Sequence, residues 1–102
     1  MQLLTDELRR QLPPLYSQEA EPNPRVICKF FTPDSNWTWW ATEGSQVGTD
    51  FKFFGFVRGF EDEWGYFLLS ELESARGPLH LHIERDLHFT PGPFTDVVPA
   101  RD

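Results

Sequence analysis

The sequence predicts an α+β fold in one small domain: a four-stranded antiparallel β-meander with a short N-terminal helix and a capped two-turn helix near residues 71–76. Three observations lead there. Between Arg25 and Leu69, β-branched and aromatic residues come in short runs separated by turn residues, the pattern of a meander. Leu3, Leu4, Leu8 and Leu12 fall close to the spacing of one helical stripe. SELESARGP, residues 70–78, carries both a helix start and a helix stop.

Leu3 to Leu12 reads as an amphipathic helix, with Thr5 or Asp6 available as its cap and Pro13-Pro14 ending it. SQEAEPNP, residues 17–24, is polar and proline-containing, which suits a surface connection. RVICKFF (25–31) is the first strand and Pro33–Asn36 has type I turn chemistry. WTWWATE (37–43) is the second strand, GSQVGTD (44–50) a looser loop, residues 51–58 the third strand, GFEDE (59–63) a connection and WGYFLL (64–69) the fourth. Short turns favour antiparallel pairing, since parallel neighbours need long crossovers.

Ser70 and Glu73 then fit a capping box, with Gly77 suited to a left-handed residue beyond the helix end and Pro78 blocking its continuation. LHLHIERDLHF (79–89) is a short strand or an extended segment, and the prolines of TPGPFTDVVPARD (90–102) argue for an irregular tail. The single domain, 1–102, thus divides into a helix and connection (1–24), a core (25–89) and a tail (90–102).

Ten Phe, four Trp and two Tyr are more rings than so small a body buries readily, so part of the aromatic surface is expected to lie open. Nine basic against sixteen acidic residues give a net charge of −7, which repels a phosphate backbone on average. Lys29, Lys52, Arg58 and Arg85 are separated by acidic residues, so nucleic acid is a disfavoured partner. The lone Cys28 excludes an intramolecular disulfide and a cysteine-based zinc site and suits a reducing compartment. With no apolar run near the roughly 18 residues of a membrane span and no leader-like N-terminus, a cytoplasmic protein away from membranes is expected.

FKFFGFVRGF, residues 51–60, approaches the RNA-recognition strand motif: Lys52, Phe54, Gly55, Phe56 and Val57 match it in order. Phe53 stands where its first Gly belongs and Gly59 where its last aromatic belongs. The motif's fold also requires a helix between the first two strands, where this sequence has room only for a turn. The plainer reading is a structural strand with Phe51, Phe53, Gly55 and Val57 on one face and Lys52, Phe54 and Phe56 on the other.

In NWTWW, Trp37 and Trp39 fall on one face and Trp40 on the other, which makes a Trp of this strand a candidate contact residue. His80, His82 and Glu84 alternate as metal ligands on a strand could, but a half-exposed strand gives the same pattern. No G-x-S-x-G elbow is present and Cys28 lies mid-strand, so no catalytic residue is assigned. The carboxylates at 61–63, 71, 73, 84 and 86 gather into the C-terminal half, as solvated surface or as an acidic docking face.

PPLY (13–16), KFFTPDSNWTWWATEG (29–44), FGFVRGFEDEWGYFLLSELESARGPL (54–79) and IERDLHF (83–89) together resemble a family of small bacterial proteins of unknown function. Members of that family tend to be encoded on plasmids, phages and integrated mobile elements. The resemblance carries no catalytic residue, metal or cofactor. It implies Gly and Pro where this chain has His80 and His82, which leaves that pair outside the family pattern. It does include Glu84, Arg85, Asp86 and His88, whose alternation puts Arg85 opposite the other three and free to pair with a carboxylate.

The expected function is therefore non-enzymatic binding of a host or element-encoded protein, with no cofactor. Glu84, Arg85, Asp86, His88, Trp37, Trp40, Phe54 and Phe56 form the candidate surface. Two alternatives remain: single-strand nucleic-acid binding by stacking on Phe54, Phe56 and a Trp, and a small hydrolase built on Glu84, Asp86 and His88.

Overall fold

The computed structural model describes residues 1–101. It is a small α+β domain with an antiparallel sheet of five strands rather than four, in the order β5-β4-β3-β2-β6. β2 is Cys28–Phe31, β3 Thr38–Val47, β4 Asp50–Arg58, β5 Asp62–Leu68 and β6 Glu84–Arg85. The additional strand is only two residues long and pairs through Phe30–Arg85 and Phe31–Glu84. So short an edge strand has no alternation to announce it; it forms because β2 offers an unpaired edge.

The first predicted strand is split. Arg25–Val26, β1, leaves the main sheet and pairs with β7, Gly92–Pro93. β7 and the helix α3, Phe94–Val97, replace the irregular structure expected of residues 90–102. Both fit the prolines: Pro93 lies on a two-residue ribbon and immediately precedes the helix, where a missing N–H costs nothing. The loop expected at 44–50 is likewise mostly strand. β3 and β4 run on to a two-residue turn at Gly48-Thr49, with Val47 opposite Asp50 and Gly48 at φ 60°, a hairpin geometry that glycine supplies without strain.

Helix α1, Asp6–Gln11, is capped by Thr5, whose Oγ1 accepts from the Leu8 N–H at 3.2 Å. Helix α2, Leu69–Ser74, starts two residues earlier than predicted, so the expected Ser70–Glu73 box is displaced. The Glu71 carboxylate accepts from the Leu68 N–H at 2.8 Å, and Asp50 on β4 accepts from the Ser70 N–H at 3.2 Å and from its hydroxyl. A strand carboxylate thus does the work expected of a local Ser cap. Gly77 is not left-handed; that conformation belongs to Gly48, Tyr16 (φ 75°) and His80 (φ 64°). Gly77 is small because the Asp34 carboxylate lies against it while accepting from the Leu79 N–H at 2.7 Å.

Bonds from the Ser70 hydroxyl, and secondarily the Phe51 N–H, hold the Asp50 carboxyl below its ordinary value of 3.8. A depressed folded-state value stabilises the fold above the unfolded value and ceases to do so as pH falls through the folded one. Asp50→Asn should therefore lower the urea midpoint at neutral pH, and the two proteins should converge below pH 3.8.

The core lies on one face of the sheet, where Phe30, Phe53 and Phe67 meet Leu3, Leu4, Leu8 and Leu12 from the N-terminus and Leu72 from α2. Phe53 contacts the rings of Phe30, Phe51 and Phe67 at centroid distances of 5.4, 5.0 and 5.2 Å. Beneath them runs a cross-strand row of small residues, Cys28, Ala41, Gly55 and Gly65. A Cβ at Gly55 would lie 2.0 Å from the Trp40 carbonyl oxygen, so this glycine permits the close approach of β3 and β4.

Candidate functional site

The opposite, outer face of the sheet is built from cross-strand rows. Lys29, Trp40, Phe56 and Trp64 make one; Glu43, Phe54 and Tyr66 the next; Ser45, Lys52 and Leu68 a third. Lys52, Phe54 and Phe56 share this face as their alternation requires. Trp40 is buried at 2% exposure, but Trp64 and Tyr66 remain 42% and 48% exposed on the edge strand β5. Phe54 stacks on Trp64 at 6.0 Å and meets Tyr66 at 5.0 Å, while Phe94 of α3 covers the Phe56 end at 5.0 Å.

A β-bulge aims Glu43 at this face. The register shifts between Ala41 and Glu43; strict alternation would set Glu43 beside Phe53 in the core, and the extra residue turns it to the other side. There, 3% exposed, it accepts from the Tyr16 N–H at 2.8 Å and the Gln18 N–H at 2.7 Å. Tyr16 is a left-handed non-glycine residue, and Glu43 holds it so. The Gln18 side chain adds bonds to the carbonyls of Arg25 and Thr42 and from the Arg25 N–H. The 13–24 connection is thereby fixed beside the rings, leaving a cleft of about 440 Å³ lined by Tyr16, Glu19, Glu21, Phe54, Trp64 and Tyr66 among others.

Cations sit on several of these rings: Lys52 over Tyr66 at 4.5 Å, Lys29 over Trp40 at 5.8 Å, and Arg58 over Trp40 at 5.3 Å and Phe56 at 5.7 Å. Arg58 is also bound to Asp62 and to the Pro99 carbonyl, and Lys29 is paired with Asp86 at 3.7 Å. The Tyr66 phenol is held above its ordinary 10.0, first by the neighbouring Tyr16 hydroxyl, then by desolvation and the charges of Tyr16, Glu19 and Glu43.

The other sequence candidates lie elsewhere. Trp37 stacks on Trp39 at 6.0 Å at one end of the core face and carries Phe60, which is 91% exposed. Glu84 and Arg85 form the far edge of the sheet. The carboxylate partner expected for Arg85 is absent among the described residues: its guanidinium reaches the Gln2 carbonyl at 3.4 Å and its backbone N–H the Met1 sulfur at 3.1 Å. Arg85 therefore ties the N-terminus to β6. Asp86 pairs with Lys29 and accepts from the backbone N–H of His88 at 2.9 Å, and His88 is exposed.

No hydrogen bond joins the side chains of Glu84, Asp86 and His88 among the described residues, so the hydrolase arrangement has no nucleophile–base contact. His80 and His82 are exposed and belong to no cluster of three potential metal ligands among those residues. Nor do the gathered carboxylates make a uniform face, since Asp62 is clamped by Arg58 and Arg101, Asp86 by Lys29, and Glu71 caps α2. Burial pushes the Cys28 thiol up from 9.0 to about 12, against a weaker opposing pull from Arg85. Cys28 should accordingly resist alkylation in native protein at mildly alkaline pH and react on unfolding. Stability owed to its suppressed ionisation is intact below pH 9.0 and is lost as pH rises towards about 12.

The four residues that build the cleft, Tyr16, Glu43, Trp64 and Tyr66, were not singled out by the sequence patterns. The available signal was Glu43, a carboxylate inside the apolar run WWATEG, where a charge marks either a bulge or a partner.

Fold and face together define a small α+β domain with an aromatic sheet surface and no assembled catalytic group among the described residues. The chain belongs to the DUF2958 family of proteins of unknown function, whose model matches residues 3–96. No curated protein and no solved structure matches it. Among the described residues no helix is long and apolar enough to cross a membrane.

Proposed function

We propose that this chain is a non-enzymatic binding protein, an accessory factor of a mobile genetic element, which meets a protein partner through the outer face of its sheet. One observation supports the reading: Trp64 and Tyr66 stay 42% and 48% exposed on a regular strand while packing against the neighbouring Phe54 ring. Large aromatics pre-ordered on a scaffold lose little entropy on binding and are favoured as interface anchors. The mobile-element setting follows from the family resemblance. Affinity capture from bacterial lysate should retain a protein that nuclease treatment does not release and that Trp64→Ala/Tyr66→Ala does not capture. Equal capture by the double variant would count against this face.

A second reading has its own support, since Lys52, Arg58 and Lys29 flank rings on which bases could stack. Arg58 and Lys29 are already paired with carboxylates, however, and the net charge is −7. Titration with mixed single-stranded RNA and DNA at low salt should show no tight binding. Micromolar affinity lost in a folded Phe54→Ala/Phe56→Ala variant would make nucleic acid the better reading.

A further inference from the structure

We infer that the cleft between β5 and the 13–24 connection receives a basic side chain, Lys or Arg, from an extended segment of the protein partner. This rests on the outer face being the binding surface and names what that face recognises. Three features of the cleft agree.

Its walls are aromatic: Tyr16, Phe54, Trp64 and Tyr66. Ring faces attract cations, and this surface already shows it with its own residues, Lys52 lying over Tyr66 at 4.5 Å and Arg58 over Trp40 at 5.3 Å. Trp64 carries no cation among the described residues; it stacks on Phe54 and packs on Phe94 yet stays 42% exposed, so a partner's cation can reach the part of the ring left open.

Its charge is acidic. Glu19 and Glu21 are exposed at the rim, and Glu43 is buried in the lining. The two oxygens of Glu43 accept from the N–H groups of Tyr16 and Gln18, and no Lys or Arg pairs with it among the described residues. A carboxylate rim with an aromatic wall complements a guanidinium or ammonium and repels a phosphate or an acidic peptide.

The occupant's shape follows from β5. This strand pairs only with β4, so its outer backbone edge is unpaired alongside the cleft. An unpaired edge next to a side-chain pocket is the arrangement by which sheets take up extended peptides, with backbone bonds holding the chain and the pocket reading one side chain.

The full chain, labelled and passed over an array of random-sequence peptides, tests this. Peptides retained by the wild-type protein should be enriched in Lys and Arg. Glu19→Gln/Glu21→Gln should lose that enrichment and weaken the best basic peptide by roughly tenfold or more, with both variants checked for folding by circular dichroism. Trp64→Ala should abolish retention. Retained peptides that are neutral or acidic, or unchanged affinity in the double Gln variant, would overturn the basic-side-chain inference while leaving a protein-binding face intact. Retention equal to that of Trp64→Ala would overturn both.

Discussion

Phe53→Ala should remove a large share of this protein's stability. Phe53 is fully buried and touches Phe30, Phe51 and Phe67 above the small-residue row of Cys28, Ala41, Gly55 and Gly65. With glycine and alanine in the adjoining row, that row supplies no large side chain to fill the space left. Truncating a buried Phe costs about 3–5 kcal/mol, against roughly 5–15 kcal/mol for a whole domain. Urea unfolding checks it directly. Phe54→Ala, one residue along on the half-covered face, should cost clearly less, because part of that ring is already in water.

Glu43→Ala should be the second most damaging change, and it acts on both stability and the binding cleft. Two backbone N–H groups, those of Tyr16 and Gln18, lose a charged acceptor. Hydrogen bonds to charged groups contribute about 1.5–3 kcal/mol each, and the two share one carboxylate, so a combined loss of about 3 kcal/mol is expected. Tyr16 also loses what holds it at φ 75°, a conformation that costs of order 1–3 kcal/mol in a non-glycine residue. Amide exchange at Tyr16 and Gln18 should rise sharply while the β4–β5 amides stay protected. Glu43→Gln, which keeps one acceptor, should lose less.

The meander, the faces of β4 and the amphipathic first helix were legible because they follow from period and turn chemistry. Residues 51–58 show this best: alternation alone set Phe53 on one face of the strand and Phe54 and Phe56 on the other. The misses share one cause, which is interactions distant in sequence. Asp50 caps a helix twenty positions away, so Ser70-x-x-Glu73 looked like a local box and set the helix two residues late. β6 forms only by adding to β2, and β7 only by pairing with β1. The bulge at Thr42 cannot be seen in alternation because it is the point where alternation fails. That one irregularity separates a buried Glu43 in the core from a Glu43 that organises the cleft.

The site candidates divide in the same way. Phe54 and Phe56 lie on the proposed surface and Trp40 beneath it, buried by Phe56, Lys29 and Arg58. Trp37 instead joins Trp39 and Phe60 at the end of the core face. Arg85 and Asp86 tie β6 to its surroundings through Gln2 and Lys29. These two residues of IERDLHF thus have structural contacts, whereas Trp64 and Tyr66 remain 42% and 48% exposed.

Hydrogen–deuterium exchange of the full chain, with and without its captured protein partner, shows which face of the sheet the partner covers. The outer-face reading predicts that protection on binding concentrates in residues 62–68 of β5 and in the 14–24 connection. Protection confined to the Trp37–Phe60 end of the sheet, or to Glu84–His88, with β5 unchanged, would contradict it.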